Sequence, residues 1–444
     1  MKFLSFFILS ISLLVAPFSA WALKAPKQLL TIEEWVSQES DVAVTKLKQQ
    51  ISPSGAAKGV VIASPQNQNP NYYRHWVRDA ALVMDVIFQL GQRAADPNQK
   101  KYFEALLKDY AYFSRQNQLA QTIADLGEPI FEVNGQPFQG PWGRPQNDGP
   151  ALRAATLTRW AQALIDRGQI NYVRNWLYNS SLPAQTVIKA DLEYVSHHWQ
   201  DSNFDLWEEV KGQHFFTLMV QRKALSIGAQ LAQRLGDSSA ANWYQQQAVQ
   251  IQNEIQNHWL PEKGLIAPTL HWTEGVWYKN SNLDAAVILG SLHGAYDGFF
   301  SSADSRMVAT FEKLVQTFSQ LYPINRSTRA PGVALGRYPE DVYGGADFDG
   351  GNPWVLATLA AAQMSYQRAS AVAKRSPTLA RRLLLQGDDF FQRVQYHANP
   401  DGSLSEQIQR SSGYMVSARD LTWNYAAVLT AAWAREESIR KLKR

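Results

Sequence analysis

The sequence predicts a large all-α domain. Three observations carry that expectation. Apolar residues recur at helical spacing through about twelve segments, Leu, Ala and Gln fill long helix-compatible runs, and Val/Ile/Thr alternations bounded by turns are scarce. Short turns and long Gly-, Pro- and aromatic-rich loops alternate between these segments. Long loops inside a compact domain are usually functional or disordered, and here they carry the residues capable of chemistry. A closed ring of helical hairpins fits the alternation, because it gathers the long loops on one face. No strong repeat, low-complexity tract or linker divides the chain, so one domain is expected over 23–444.

The chain opens with Met1-Lys2, an apolar run over 3–15, Pro17 and Ala20-Trp21-Ala22. A positive start, a 13-residue apolar core and a small-x-small end read as a cleaved signal peptide over 1–22. The run is shorter than the ~20 residues of a spanning helix. Cleavage is expected after Ala22, leaving a secreted or periplasmic chain with no membrane contact.

A first helix is expected over 31–50, where Thr31-Ile32-Glu33-Glu34 reads as a helix start with acids in its first turn. A polar loop over 52–73 precedes a helix over 75–90 that Gly91 ends. A long helix over 100–124 leads to a second loop over 127–150, and Pro150 sits in the first turn of a helix over 150–168. Helices follow over 183–197, 206–236 and 238–259, then a third loop over 260–282. Helices over 284–293 and 304–320 precede a fourth loop over 322–352. Helices over 353–374 and 377–396, a fifth loop over 398–413 and a last helix over 417–440 complete the chain.

Composition narrows the function. Of 444 residues, 45% are hydrophobic and 18% charged, which is ordinary for a globular protein. The formal charge of +4 falls to +3 without Lys2 and is spread out, so neither nucleic acid nor an anionic membrane is the expected partner. With no cysteine there is no thiol nucleophile and no thiolate metal site. The eight histidines are scattered, and HExxH, Walker, GxGxxG and G-x-S-x-G patterns are missing, so no cofactor is expected. The 15 Trp, 18 Tyr and 19 Phe offer apolar faces with polar handles, the surface that a sugar ring stacks on.

The acids, arginines and aromatics recur at loop-to-helix junctions. Asp205-Leu206-Trp207-Glu208-Glu209-Val210 packs three carboxylates around a tryptophan. Close like charges and an apolar neighbour both raise a carboxyl pKa, as an acid that must hold its proton near neutral pH requires. The competing reading is an acidic helix start. Tyr72 to Asp79 brings Tyr72, Trp76, Arg78 and Asp79 together; Arg78-Asp79 is either a pair for sugar hydroxyls or a helix-capping ion pair. Trp142 offers a stacking wall ahead of Asp148, whose expected job is to cap the following helix. Arg337, Tyr343 and Trp354 repeat the pattern in the fourth loop, and Glu406 lies in the fifth beside Ser405 and Gln407. Arg419-Asp420, just ahead of Trp423, reads as a buried structural pair.

At these residues the chain resembles the glucoamylases of glycoside hydrolase family 15. The matching blocks are 59–65, 72–79, 142–153, 205–217, 336–343, 351–354 and 403–430, in family order over nearly the whole mature chain. The resemblance implies an (α/α)6 barrel of six hairpins with a pocket active site. It implies exo-hydrolysis of α-1,4-glucans from non-reducing ends, releasing β-D-glucose with inversion. Two carboxyls on opposite sides of a bound sugar are what such chemistry needs. By resemblance, Glu208 is the general acid and Glu406 the general base. Arg78, Asp79 and Arg337 match residues that hold the terminal glucose, and Glu209 and the Leu206 carbonyl match contacts near the cleaved bond. Tyr72, Trp76, Trp142, Tyr343, Trp354 and Trp423 match the aromatic lining, with Tyr72 placed to stabilise positive charge near the ring oxygen.

Glu208 should be kept protonated by Trp207 and by the charges of Asp205 and Glu209, and Glu406 ionised by Gln407 and Ser417. Asp205 itself reads as a cap or field-setting neighbour. The chain departs from fungal relatives at Ile408, usually aromatic there, at 281–286, which lacks a frequent Asn, and over 341–353, which is longer. No starch-binding module is read after Arg444, so soluble dextrins or glycogen and a monomer are expected. An α-1,6-glucosidase, a trehalose-type hydrolase and a non-catalytic glucan-binding protein on the same scaffold are the alternatives.

Overall fold

The computed structural model describes residues 30–345 and 347–444. The expected signal segment lies outside the described residues. Among the described residues, twelve long helices follow one another along the chain: α1 (Ile32–Gln50), α2 (Val77–Arg93), α3 (Pro97–Leu119), α4 (Asp148–Asp166), α5 (Val187–His198), α6 (Phe215–Leu235), α7 (Ser238–Gln256), α8 (Ala285–Gly294), α9 (Ser305–Leu321), α10 (Val355–Val372), α11 (Pro377–His397) and α12 (Thr422–Leu442). A one-turn helix over Ile170–Tyr172 continues into a wide turn over Val173–Leu177.

Burial sorts the helices into two rings. Odd-numbered helices are amphipathic. α1 buries Trp35, Glu39, Ala43, Leu47 and Gln50, and α9 buries Met307, Thr310, Phe311, Leu314 and Phe318, each a single stripe at helical spacing. Even-numbered helices are buried nearly all round: α6 buries every residue from Phe215 to Arg222, and α10 every residue from Val355 to Ala362. A helix apolar on all sides must be surrounded, and these are. α2 packs on α4, α4 on α6, α6 on α8, α8 on α10, α10 on α12, and α12 back on α2, which closes the inner ring. Each odd helix packs outside, α1 against α12, α3 on α2, α5 on α4, α7 on α6, α9 on α8 and α11 on α10. The fold is an (α/α)6 barrel, and one apolar core runs from Trp35 to Ala432.

Because inner and outer helices alternate, all six inner helices point the same way, with their N-termini at one end. That end carries the long loops, braced by short antiparallel pairs: β1 (His75–Trp76) with β2 (Ile130–Phe131), β4 (Val210–His214) between β3 (Asn203–Phe204) and β7 (Thr269–Gly275), β5 (Trp259–Leu260) with β6 (Leu265–Ile266), and β8 (Gln407–Ile408) with β9 (Met415–Val416).

Two expected helix starts are wrong for one physical reason. The helix expected from 206 begins only at Phe215, and the helix expected from 417 begins at Thr422. Glu208 (φ 67°), Ser417 (φ 67°) and Asp420 (φ 53°) occupy left-handed backbone that no right-handed helix admits. Gly91 also fails to end α2, which runs on to Arg93. Among the described residues, no helix is long and apolar enough to cross a membrane.

Candidate active site

The β8–β9 hairpin places the first carboxylate. Gln407 pairs with Val416, so Glu406 and Ser417 face each other at the open end. Glu406 N donates to Ala418 O at 2.8 Å, fixing its backbone. The Ser417 hydroxyl donates to Glu406 Oε2 at 2.5 Å and Gln407 Nε2 to the same oxygen at 3.2 Å. The side chain is buried, and burial pushes its pKa up to about 7 against the Ser417 hydrogen bond and the Arg337 charge.

A tight turn places the second. Asp205 Oδ1 accepts from Glu209 N at 2.8 Å and Val210 N at 3.1 Å, while Asp205 N bonds Val210 O at 2.8 Å. This closed loop throws Glu208 into left-handed backbone, which costs of order 1–3 kcal/mol, and aims its side chain away from the strand. Three donors converge on Glu208 Oε1: Trp76 Nε1 at 2.9 Å, Arg78 Nη2 at 3.2 Å and Gln146 Nε2 at 3.2 Å. These three donors occupy Oε1. Burial raises the Glu208 pKa, and Arg78 is the main influence against it.

That account replaces the expected one. Asp205 is held below the usual carboxylate range despite its burial, mainly by the Lys279 ammonium, and its Oδ2 lies 3.4 Å from Lys279 Nζ. Glu209 is paired with Arg337 at 2.7 Å and accepts from the Tyr338 hydroxyl at 2.6 Å. Trp207 spends its indole N–H on Asp284 at 2.8 Å. The neighbouring charges are thus neutralised locally, and desolvation is what lifts Glu208.

Two buried arginines frame the carboxyls. Arg78 Nη1 bonds Asp148 and Gln146, both at 2.9 Å, and its Nε lies 3.7 Å from Asp79. Asp148 is therefore an ion-pair partner, and the expectation that it caps α4 is wrong: α4 begins at Asp148, after Asn147. Asp79 is pushed up by burial to about 6. Arg337 grips Asp341 through Nε at 2.8 Å and Nη2 at 2.6 Å. Arg419-Asp420 is not a buried pair either. Arg419 is exposed and bonds Asp401 at 2.7 Å, while Asp420 bonds Lys46 at 3.0 Å.

All thirteen residues that the resemblance assigns to the site line one cavity of about 410 Å³, at the inner-helix N-termini. That size is typical of small-molecule sites, which run ~300–1,000 Å³. Trp76 meets Tyr72 (5.4 Å between ring centroids) and Trp142 (6.0 Å), and Trp354 meets Tyr343 (6.3 Å) and Trp207 (5.5 Å). The Tyr72 and Tyr343 hydroxyls are 3.0 Å apart. Leu356 and Trp423, from the first turns of α10 and α12, supply apolar lining from the barrel interior. The ring of helix N-termini presents partial positive charge, which suits the carboxylates and the oxygens of a bound ligand.

Sequence reasoning missed Gln146, Tyr338 and Phe348. Gln146 and Tyr338 stood inside quoted blocks, but only their long-range bonds to Glu208 and Glu209 reveal a role. Phe348 lines the cavity mouth in the long 341–353 loop, 72% exposed and 5.8 Å from Tyr343. A lone aromatic between Asp347 and Asp349 was the available signal. Gly345 (φ 98°) lets this loop pass over the hairpin, since a Cβ there would lie 2.5 Å from Ser417 Cβ. Among the described residues, no group of His, Cys, Asp and Glu is placed to hold a metal.

The arrangement yields a test of Glu406. A hydrogen bond to a carboxylate lowers its pKa, so Ser417→Ala should raise the Glu406 pKa. If catalysis needs Glu406 ionised, the acid limb of the kcat/KM–pH profile then moves to higher pH. A limb that stays in place would show that another group sets it.

The profile of glycosyl hydrolases family 15 matches residues 40–433. A glucoamylase of Blastobotrys adeninivorans is 36% identical over 457 aligned positions, covering 91% of this chain and 72% of the relative. A probable glucoamylase of Schizosaccharomyces pombe is 32% identical, covering 91% and 92%. Among solved structures, a glucoamylase from Saccharomycopsis fibuligera superposes with a TM-score of 0.84 at 27% identity, covering 94% of this chain and 98% of that one. The family 15 glucoamylase from Hypocrea jecorina gives 0.81 at 30% identity, covering 91% and 72%.

Proposed function

The chain belongs to glycosyl hydrolases family 15, and from that premise we propose how its cavity works as an exo-acting, inverting glucan 1,4-α-glucosidase. The enzyme releases β-D-glucose from the non-reducing ends of α-1,4-glucans. The observation that carries the reading is the pair Glu208 and Glu406. They sit on separate loops, face one cavity, and differ in surroundings: Glu208 Oε1 is saturated by donors, whereas Glu406 Oε2 accepts from Ser417 and Gln407.

A terminal glucose enters with its hydroxyls toward Arg78, Asp79 and Arg337. Its ring lies among Tyr72, Trp76, Trp354 and Trp423. Glu208 gives its Oε2 proton to the glycosidic oxygen as the bond from that oxygen to C1 breaks. Positive charge spreads over C1 and the ring oxygen, in the field of Glu406 and against the Tyr72 hydroxyl. A water on the far face, deprotonated by Glu406, forms the new bond to C1, so the configuration inverts. The turn leaves Glu208 ionised and Glu406 protonated, and exchange with solvent resets both. Glu209 and the Leu206 carbonyl bind the sugar beyond the cleaved bond, with Trp142 as its wall. A pocket that takes a chain end rather than a chain middle explains exo action. We also assign 1–22 to export and expect the mature enzyme to act as a monomer.

Proton NMR during maltose hydrolysis tests this directly. The first anomer to accumulate should be β-glucose, with α-glucose appearing only by mutarotation. Initial α-glucose would overturn inversion. Trehalose hydrolysed faster than maltose would overturn the substrate assignment.

A further inference from the structure

The β7 strand leads out of the site into aromatic surface that the reaction does not use. Trp272 and Trp277 stack nearly parallel, ring centroids 5.3 Å apart and planes 15° apart. Trp277 is 62% exposed and Tyr278 beside it 37%. Leaving an indole in water forgoes the burial that drives folding. With Trp272 covering one face, the other face of Trp277 is open.

The segment is also rigidly tied to the catalytic turn. Gly275 pairs with Val210, and Val276 N donates to Glu209 O at 3.1 Å. Gly275 has φ 103°, and a Cβ there would fall 2.0 Å from Glu209 O, so the approach is as close as a backbone can make it. On the other side, Lys279 Nζ lies 2.8 Å from Asp284 and 3.4 Å from Asp205. Trp277 projects between two anchors that both end on the Asp205–Glu209 turn.

We propose that Trp277, backed by Trp272, is a glucan-binding platform outside the cleavage cavity. It stacks on a sugar unit of the chain whose non-reducing end occupies the cavity. The proposal rests on the enzyme's being a glucan hydrolase. The C–H face of a pyranose suits the free indole face, and the Tyr278 hydroxyl and the exposed Glu274 carboxylate offer partners for the sugar's edge. A platform tied to the rim extends contact with long chains and leaves short ones untouched.

The test compares substrates of different length. Trp277→Ala should leave kcat/KM on maltose within about twofold and lower it on glycogen or a long dextrin by roughly three- to tenfold, the worth of an aromatic stack. Trp277→Tyr, which keeps a ring, should restore most of the loss. An equal fall on maltose and glycogen, or no fall on either, overturns the platform. Binding is read separately by native electrophoresis in glycogen-containing gels, in a Glu208→Gln background. There, Trp277→Ala should abolish part of the retardation, and undiminished retardation overturns the proposal. If the unmodified enzyme releases no glucose from either substrate, the hydrolase reading fails, and the gel still decides the platform.

Discussion

Glu208→Gln should lower kcat on maltose by at least about 10³-fold while the protein still binds the sugar, the upper range of general-acid effects. The substitution is close to isosteric, and the amide oxygen can still accept from Trp76, Arg78 and Gln146, so the turn need not rearrange. In the proposed mechanism, what is lost is the proton on the other oxygen. The loss should depend on the leaving group. α-Glucosyl fluoride, whose fluoride departs with little protonation, should lose far less than maltose. An equal loss on both substrates would mean that Glu208 acts through binding or structure, and unchanged maltose activity would remove it from the mechanism. The same variant should still respond to pH through Glu406, so the acid limb of its residual profile should persist.

How much of the fold and the site is legible in the sequence depends on the range of the interaction. Helical periodicity is local, and it placed all twelve long helices of the described residues, including the one that opens on the apolar stretch Val355–Ala362, buried on every side in the inner ring. The cavity residues were legible because they sit in the loops that lead into the inner helices, and a barrel brings six such loops to one end. Backbone handedness was not legible. Nothing in Leu206-Trp207-Glu208 announces φ 67° at Glu208, because the cause is the distant pairing of Val210 with Gly275 and the Asp205 side chain folding back on two amides. Charge pairing across the sequence was equally hidden. Asp148 looks like a helix cap until Arg78 arrives from 70 residues away. Asp205 looks like a field-setting anion until Lys279 neutralises it. A single sequence reveals which groups are present, but their electrostatic effect is set by partners that only the fold supplies.

Glu406→Ala should be as damaging on maltose, ~10²–10⁴-fold in kcat, with a different chemical signature. In the proposed mechanism Glu406 acts on water, so its loss should be repaired by a nucleophile that needs no deprotonation. Azide should restore turnover on α-glucosyl fluoride and give the β-glucosyl azide, because the truncated side chain leaves room on the face where water attacks and Glu208 remains intact. Azide with Glu208→Gln should do nothing of the kind, since that variant keeps its base and lacks its acid. Rescue with the α-azide would place the nucleophile on the wrong face and overturn the inverting assignment. The pH profile follows from the same residue. Burial pushes the Glu406 pKa up to about 7; in the proposed mechanism the ionised form is the active one, and its fraction falls about tenfold for each unit below that pKa. The acid limb of kcat/KM should therefore vanish in Glu406→Ala rescued by azide. Azide remains anionic over that range, so no ionisation of a protein base is left for the rate to follow, and the Ser417 donor, with nothing to stabilise, should cease to matter.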